Sequence, residues 1–169
     1  YKQSLEYESK GDDLLSEAKD LREQAATEKD KIQKADLYKA ANSKEVAAIQ
    51  YFNTAADLFV EAAYESNKET VTNNVNAISS EDFQEKANEF SEESAVLSQE
   101  SIAHMDSSLT AKGDEKIAML QRAEQKDLSA NTLRDLSTKY QTLANDQKVK
   151  EDELEKEERL VIAALAYIR

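Results

Sequence analysis

The stretch IQKADLYKAANSKEVAAIQYFNTAADLFVEAA (residues 32–63) decides the fold of this chain. Apolar residues recur in it at helical spacing and form one stripe: Ile32, Ala35, Val46, Ile49, Phe52, Ala56, Phe59 and Ala63. A second stripe lies beside the first: Leu37, Ala40, Ala48, Tyr51, Ala55, Leu58 and Ala62. Together they make an apolar arc wider than the seam of a two-stranded coiled coil. We therefore expect a long helix, ending near residue 67, that contacts at least two neighbouring helices.

The composition of the whole chain favours helices in the same way. The 169 residues include no Pro and only two Gly, and Ala, Glu, Lys, Gln and Leu are abundant. These are strong helix formers, and the absence of Pro removes the commonest helix breaker. We predict an all-α fold and a single domain over residues 1–169, built from long antiparallel helical hairpins. About five helices would form a bundle or a short array.

The local signals place the helices and their connections. The first hairpin is predicted over residues 2–67, with a tight turn at Glu28–Asp30 and Asp30 as the N-cap of the second helix. Residues 68–79 are poor in helix formers and are predicted as a loop, followed by a helix start at Ser79 or Ser80. The second hairpin is predicted over 80–147, with a turn in which Gly113 takes the C′ position of a helix ending near 111. A last helix is predicted over 149–169.

Two helix breaks are open to interpretation. Gly11 lies inside an apolar rhythm that runs from Tyr7 to Ala25, and we favour a helix that continues through it. Around residues 145–147 the apolar pattern weakens, and we favour a break there. A shift of 83 residues also superposes parts of the two hairpins, a match that either duplication or low-complexity helix composition produces.

Charge excludes some classes of partner. The formal net charge is −13, with 35 acidic and 22 basic residues. Nucleic-acid affinity rests on Lys and Arg neutralising phosphates, so we expect no nucleic-acid binding. The longest apolar run, residues 160–168, is shorter than the roughly 20 residues of a membrane-spanning helix, so we expect no membrane insertion. Because the chain begins without Met and ends inside this apolar pattern, we expect it to be a fragment of a longer protein.

Catalytic and metal-binding signals are weak. His104 is the only histidine, with Glu100 four residues before it, whereas a di-iron site in a helical bundle needs Glu-x-x-His on two helices. We interpret His104 as a structural or surface residue. Two isolated glycines cannot form a phosphate-binding loop, and no Cys is available for zinc or thiolate chemistry. We predict no enzyme activity, no metal and no cofactor.

Two groups of residues are candidates for binding another protein. Tyr38, Tyr51 and Tyr64 are 13 residues apart, a spacing that rotates around the helix, and we favour the margin of a core for them. A peptide groove lined by Tyr51 and Leu58 is the alternative. The apolar end of the chain, residues 160–168, needs to be covered by the preceding helix, by further sequence or by a partner. We assign partner binding to Tyr51, Leu58, Leu160, Val161, Ala164 and Ile168.

The segment LREQAATEKDKIQKADLYKAANSKEVAAIQYF (residues 21–52) resembles tetratricopeptide-like helical repeats, and MDSSLTAKGDEKIAMLQRAEQKD (105–127) is a weaker match. The chain departs from that family in its longer helices and in lacking the Trp, the closing Pro and a 34-residue period. It is also similar to Lys/Glu/Ala-rich helical scaffolds of the bacterial envelope and secretion machinery. These resemblances imply a scaffold or adaptor that binds other proteins. A four-helix sensory or spacer bundle is the alternative.

Overall fold

The computed structural model describes residues 2–66 and 78–168 and places them in four helices. These are α1 (Lys2–Thr27), α2 (Lys31–Ser66), α3 (Ser80–Ser108) and α4 (Gly113–Ile168). The all-α prediction is confirmed, and α1 runs through Gly11 as expected. The prediction of about five helices is wrong for the described residues, because the two expected helices after Gly113 are one.

Helix α4 is continuous over 56 residues, which corresponds to a rod about 84 Å long. The predicted break at 145–147 does not occur. Asn145 accepts a hydrogen bond from Nε2 of Gln141 (3.1 Å), and Lys148 pairs with Asp152 (3.0 Å), both at the i, i+4 spacing of a helix. With neither Gly nor Pro after Gly113, weak helix formers alone are insufficient to end the helix.

The four helices form two antiparallel hairpins that lie side by side. Helices α2 and α4 are neighbours and run parallel, because Lys31 pairs with Glu115 at one end (3.7 Å) and Asp57 with Lys139 further along (3.6 Å). Ion pairs from Asp12 to Lys86 and from Arg22 to Glu93 likewise align α1 parallel to α3. The short turns of both hairpins, 28–30 and 109–112, therefore lie at the same end of the bundle, which we call the turn end.

The helix starts follow from local chemistry. Asp30 caps α2, since its Oδ1 accepts hydrogen bonds from the backbone N–H groups of Ile32 (2.8 Å) and Gln33 (3.1 Å). Ser79 forms a capping box with Asp82 at the start of α3. The predicted loop 68–79 lies outside the described residues except for its last two. Gly113 has a φ of +60° and begins α4, so it is not the C′ residue of α3, which ends at Ser108.

One hydrophobic core joins all four helices. Its centre is aromatic: the ring centroids of Phe52 and Phe90 are 4.7 Å apart, and Tyr140 lies edge-on to Phe90 at 5.1 Å. The members of this core are Leu15, Ala48, Ile49, Phe52, Ala55, Ala56, Phe59, Phe83, Ala87, Phe90, Leu97, Ala130, Leu133, Leu136, Tyr140, Leu143 and Ala144. The predicted arc of α2 is therefore confirmed from Ala48 to Phe59.

The part of the arc nearest the turn end is exposed instead. Ile32 and Val46 face solvent, although both belong to the predicted stripe. At this level α2 directs Glu45 inward, and Glu45 is completely buried. The prediction placed Ile32 and Val46 in the core because it used only the spacing of the apolar residues. That spacing gives no indication that a charged residue, Glu45, is buried at this level.

Candidate functional site

The structure separates the two groups of predicted partner-binding residues. Tyr51 is half-buried and its ring stacks on Tyr7, with centroids 5.9 Å apart, while Nζ of Lys10 lies over both rings. Leu58 is also half-buried. Tyr51 thus lies at the margin of the core and contacts α1. The other four residues, Leu160, Val161, Ala164 and Ile168, lie on α4 and are exposed.

The last part of α4 extends past the start of α3. The backbone N–H of Ser80, at the beginning of α3, donates to Oε1 of Glu151 (2.9 Å). Another 17 residues follow Glu151 in the helix, which adds about 25 Å of length. Every residue from 153 to 168 is exposed. The segment 153–168 is called the α4 extension below.

The apolar residues of the α4 extension continue the line along which α4 packs in the bundle. Leu133, Leu136, Tyr140 and Leu143 alternate at spacings of three and four and are buried. The same alternation, carried on along the helix, passes through Leu154, Val161, Ala164 and Ile168. These residues therefore lie on the core-facing line of α4, at a height where the described helices no longer cover it. The helices of the described residues carry no apolar stretch of the length that a bilayer crossing needs.

A second feature lies inside the bundle near the turn end. Five charged side chains, one or two from each helix, form a charged layer: Arg22, Glu45, Glu93, Glu100 and Lys126. Oε1 of Glu45 accepts hydrogen bonds from Nη1 of Arg22 (2.7 Å) and from Nζ of Lys126 (2.6 Å). Nη2 of Arg22 donates to Oε1 of Glu93 (2.7 Å). The layer thus connects the two hairpins through charge-assisted hydrogen bonds.

The electrostatics of the charged layer favour the charged form of Arg22. Burial disfavours the charged form of Arg22, but Glu93, Glu45 and Glu100 outweigh burial, so that the pKa of Arg22 is raised. Lys19 adds a further cation, 3.5 Å from Oε2 of Glu93. Removing two ions from water costs several kcal/mol each, which the mutual attraction offsets only in good geometry. We therefore expect the layer to fix the alignment of the hairpins more than to add stability.

His104 is buried beside the charged layer. Its ring packs edge-on against Tyr38, with centroids 4.7 Å apart. Burial, followed by the nearby charges of Arg122, Lys126 and Lys34, lowers the pKa of His104 to about 4. His104 is therefore neutral at pH 7. Within residues 2–66 and 78–168 the His, Asp and Glu side chains form no group that could hold a metal ion.

Two surface grooves flank the charged layer. The α1–α3 groove has a volume of about 640 Å³, and its lining includes six carboxylates together with Lys19 and Arg22. Both cations already contact carboxylates. The α2–α4 groove has a volume of about 580 Å³ and is lined by Ala35, Asp36, Lys39, Asn42, Ser43, Val46, Ala118, Gln121, Arg122 and Gln125. Both volumes fall in the range of small-molecule sites.

The sequence analysis missed the charged layer. A signal was present, because Arg22 lies four residues after Ala18 and three before Ala25, both buried. Lys126 lies in the same way between Ala123 and Ala130. A charged residue that interrupts an apolar line at the correct spacing predicts a buried ion pair, but its partner on another helix is visible only in the tertiary structure.

Together, the fold and these sites define a four-helix bundle with a charged layer in its core and an exposed apolar extension. Comparison of the chain with protein-family models, with curated proteins and with solved structures finds no match.

Proposed function

We propose that this chain is a non-enzymatic scaffold module that binds another protein through the α4 extension. The observation that carries this proposal is the exposure of nine consecutive apolar residues, 160–168, in a helix. Leu160 is 70% exposed and Tyr167 is 93% exposed. Single exposed apolar residues are ordinary, whereas a contiguous apolar patch marks an interaction surface.

The geometry of the α4 extension suits a helical partner. Val161, Ala164 and Ile168 lie on one line at heptad spacing, which is the pattern that receives the side chains of a facing helix. The extension is continuous with the packed part of α4, so it is ordered before binding and loses little conformational entropy. The resemblance of residues 21–52 to tetratricopeptide-like scaffolds supports the same class of function. Tyr51 is a weaker candidate for first contact, because Tyr7 already covers one face of its ring.

The charges before the apolar residues favour one kind of partner. Residues 151–159, EDELEKEER, carry six acidic and two basic side chains. A helix with an apolar stripe next to basic residues would match both parts of the extension, because opposite charges at the rim steer association and set the register.

The test is capture of partners by the full chain from an extract of its source, compared between two matched variants. Val161→Glu combined with Leu165→Glu places charges on the apolar face, and Ile32→Glu makes the same change at a residue of α2 that is 75% exposed. We expect one partner, retained in stoichiometric amount, to be lost with the double variant and kept with Ile32→Glu. Equal retention by both variants, or no specific partner, would exclude the scaffold function.

The continuity of α4 favours a second candidate, a spacer or sensory bundle. A rod about 84 Å long that runs from the turn end past the start of α3 is suited to hold two parts at a set separation. A spacer requires helix length and stiffness but no apolar side chains. Replacement of Val161 and Leu165 by Gln, a good helix former, would leave a spacer functional and abolish a scaffold.

A further inference from the structure

The α2–α4 groove contains cations that no carboxylate of the described residues neutralises. Arg122 is half-buried, and its guanidinium carbon lies 5.7 Å from the ring centroid of Tyr38 without an ion pair. Arg22, Lys86 and Lys126 are buried more deeply and each contact at least one carboxylate, whereas Lys34, half-buried like Arg122, has no ion pair among the described residues. Arg is seldom removed from water unless it is paired. Arg122 is therefore a half-buried guanidinium without a carboxylate partner, in a chain with 35 acidic residues.

The charges of the groove add up to a small positive value. Arg122 and Lys39 line it together with one carboxylate, Asp36, so that two positive charges face one negative charge. Lys39 and Asp36 are exposed and form no ion pair within the described part of the chain. A ligand with one negative charge therefore complements the groove, whereas Asp36 repels a ligand with two.

The remaining lining residues add hydrogen-bonding groups and an apolar wall. Gln121, Gln125 and Asn42 present side-chain amides, and Asn42 is only 8% exposed. Oδ1 of Asn42 is buried and has no hydrogen-bond partner among the described residues. Ala35, Val46 and Ala118 supply the apolar surface. A few placed polar groups against an apolar wall are typical of a small-molecule site.

We propose that the α2–α4 groove binds a small aliphatic monocarboxylate, with Arg122 and Lys39 receiving the carboxylate and Ala35, Val46 and Ala118 contacting the aliphatic part. Arg suits this role because its planar guanidinium donates two parallel hydrogen bonds to a carboxylate. The site is separate from the α4 extension and does not depend on the scaffold function.

The experiment is a titration of the full chain, labelled with nitrogen-15, with hexanoate and followed by amide chemical shifts. We expect saturable shifts at Ser43, Gln121 and Gln125, which line the groove. Hexanamide, which has the same shape without the charge, is expected to bind at least about tenfold more weakly, because a charge-assisted hydrogen bond is worth more than a neutral one. Succinate is expected to bind more weakly than hexanoate.

Variants assign the binding to the two cations. Arg122→Gln is expected to weaken hexanoate binding about tenfold or more, and Lys39→Gln by a smaller factor, since exposed charges are screened. Arg134→Gln and Lys29→Gln remove exposed cations outside the groove and are expected to leave binding unchanged. If Arg122→Gln does not fold, the affinity of Lys39→Gln for hexanoate decides whether the groove is the binding site. Lys39 is exposed, so this replacement does not disturb packing.

Several results would overturn the proposal. They are the absence of saturable shifts, equal affinity for hexanoate and hexanamide, and unchanged affinity in both groove variants. Tighter binding of an acetylated tripeptide that ends in leucine would also overturn it, because the site would then recognise a peptide terminus and not a free small acid.

Discussion

Nζ of Lys126 lies 2.6 Å from Oε1 of Glu45, and neither side chain has any exposure to solvent. The two residues are 81 positions apart in the chain and belong to different hairpins. The pair therefore holds the hairpins in one register, and a change to either residue tests the charged layer directly.

Replacement of Lys126 by Met is expected to lower the free energy of unfolding by about 3–5 kcal/mol, because it removes one of the two cations that contact Glu45 and Glu100 and leaves only Arg22 to compensate them. Urea unfolding followed by circular dichroism measures the loss. The exposed Lys116→Met is the matched control on the same helix and is expected to stay within about 0.5 kcal/mol of the parent chain. The double variant with Glu45→Gln is expected to recover part of the loss. A loss below about 1 kcal/mol for Lys126→Met would show that the layer contributes little.

Replacement of Gly11 by Ala is expected to destabilise the chain even though Ala is the better helix former. A Cβ atom at Gly11 would lie 2.6 Å from Cε1 of Phe52, whose ring is buried against Phe90. Overpacking of this kind costs about 1–3 kcal/mol, whereas the gain in helix propensity is about 1 kcal/mol. Thermal unfolding of Gly11→Ala and of the exposed Ser9→Ala separates the two effects. A rise in Tm for both variants would contradict the close approach of α1 to Phe52.

His104 is expected to make the chain less stable as the pH falls from 7 towards 4. Its pKa is lowered to about 4 in the folded state, so between pH 6.5 and 4 the unfolded chain binds a proton that the folded chain does not. Stability therefore falls as the pH is lowered through this window, by roughly 3 kcal/mol once the pH is below 4. Because His104 is the only histidine, His104→Gln is expected to have a flatter pH dependence between pH 7 and 5. Urea unfolding at pH 7 and pH 5 measures the free energy of unfolding of both chains. An identical change in this free energy between the two pH values for the parent chain and for His104→Gln would be evidence against a buried neutral histidine.

Two leucines of α4 are expected to respond very differently to replacement by Ala. Leu136 is buried in the core, and Leu136→Ala is expected to cost about 2–5 kcal/mol of unfolding free energy. Leu165 is 59% exposed, and Leu165→Ala is expected to change stability by less than about 0.5 kcal/mol. Denaturant titration of both variants makes the comparison. A large loss for Leu165→Ala would mean that the α4 extension packs within the chain and is not free for a partner.

Much of the fold was predictable because it depends on local chemistry. The bounds of α1, the cap at Asp30 and the capping residue Ser79 follow from residues within one helical turn. The aromatic core around Phe52 and Phe59 follows from helical periodicity. The continuity of α4 was not predicted, since the apolar pattern weakens around 145–147 although neither Gly nor Pro is present there to end the helix.

The candidate sites were predictable in unequal measure. Val161, Ala164 and Ile168 were identified from the sequence because an apolar run is visible without knowledge of its neighbours. Arg22, Glu45 and Lys126 were not, since a charged residue on a helix is ordinarily exposed. Arg122 and Lys39 come together only because α2 and α4 run parallel and adjacent.

The sequence by itself determined the all-α class, the helix starts at Asp30 and at Ser79 or Ser80, and the apolar line of α2 from Ala48 to Phe59, because each rests on interactions between residues a few positions apart. Only the tertiary structure decided which charges are buried, which apolar residues are left exposed and where the grooves lie. Burial is a property of what surrounds a residue, and the helices that surround Glu45 come from segments up to 81 residues away.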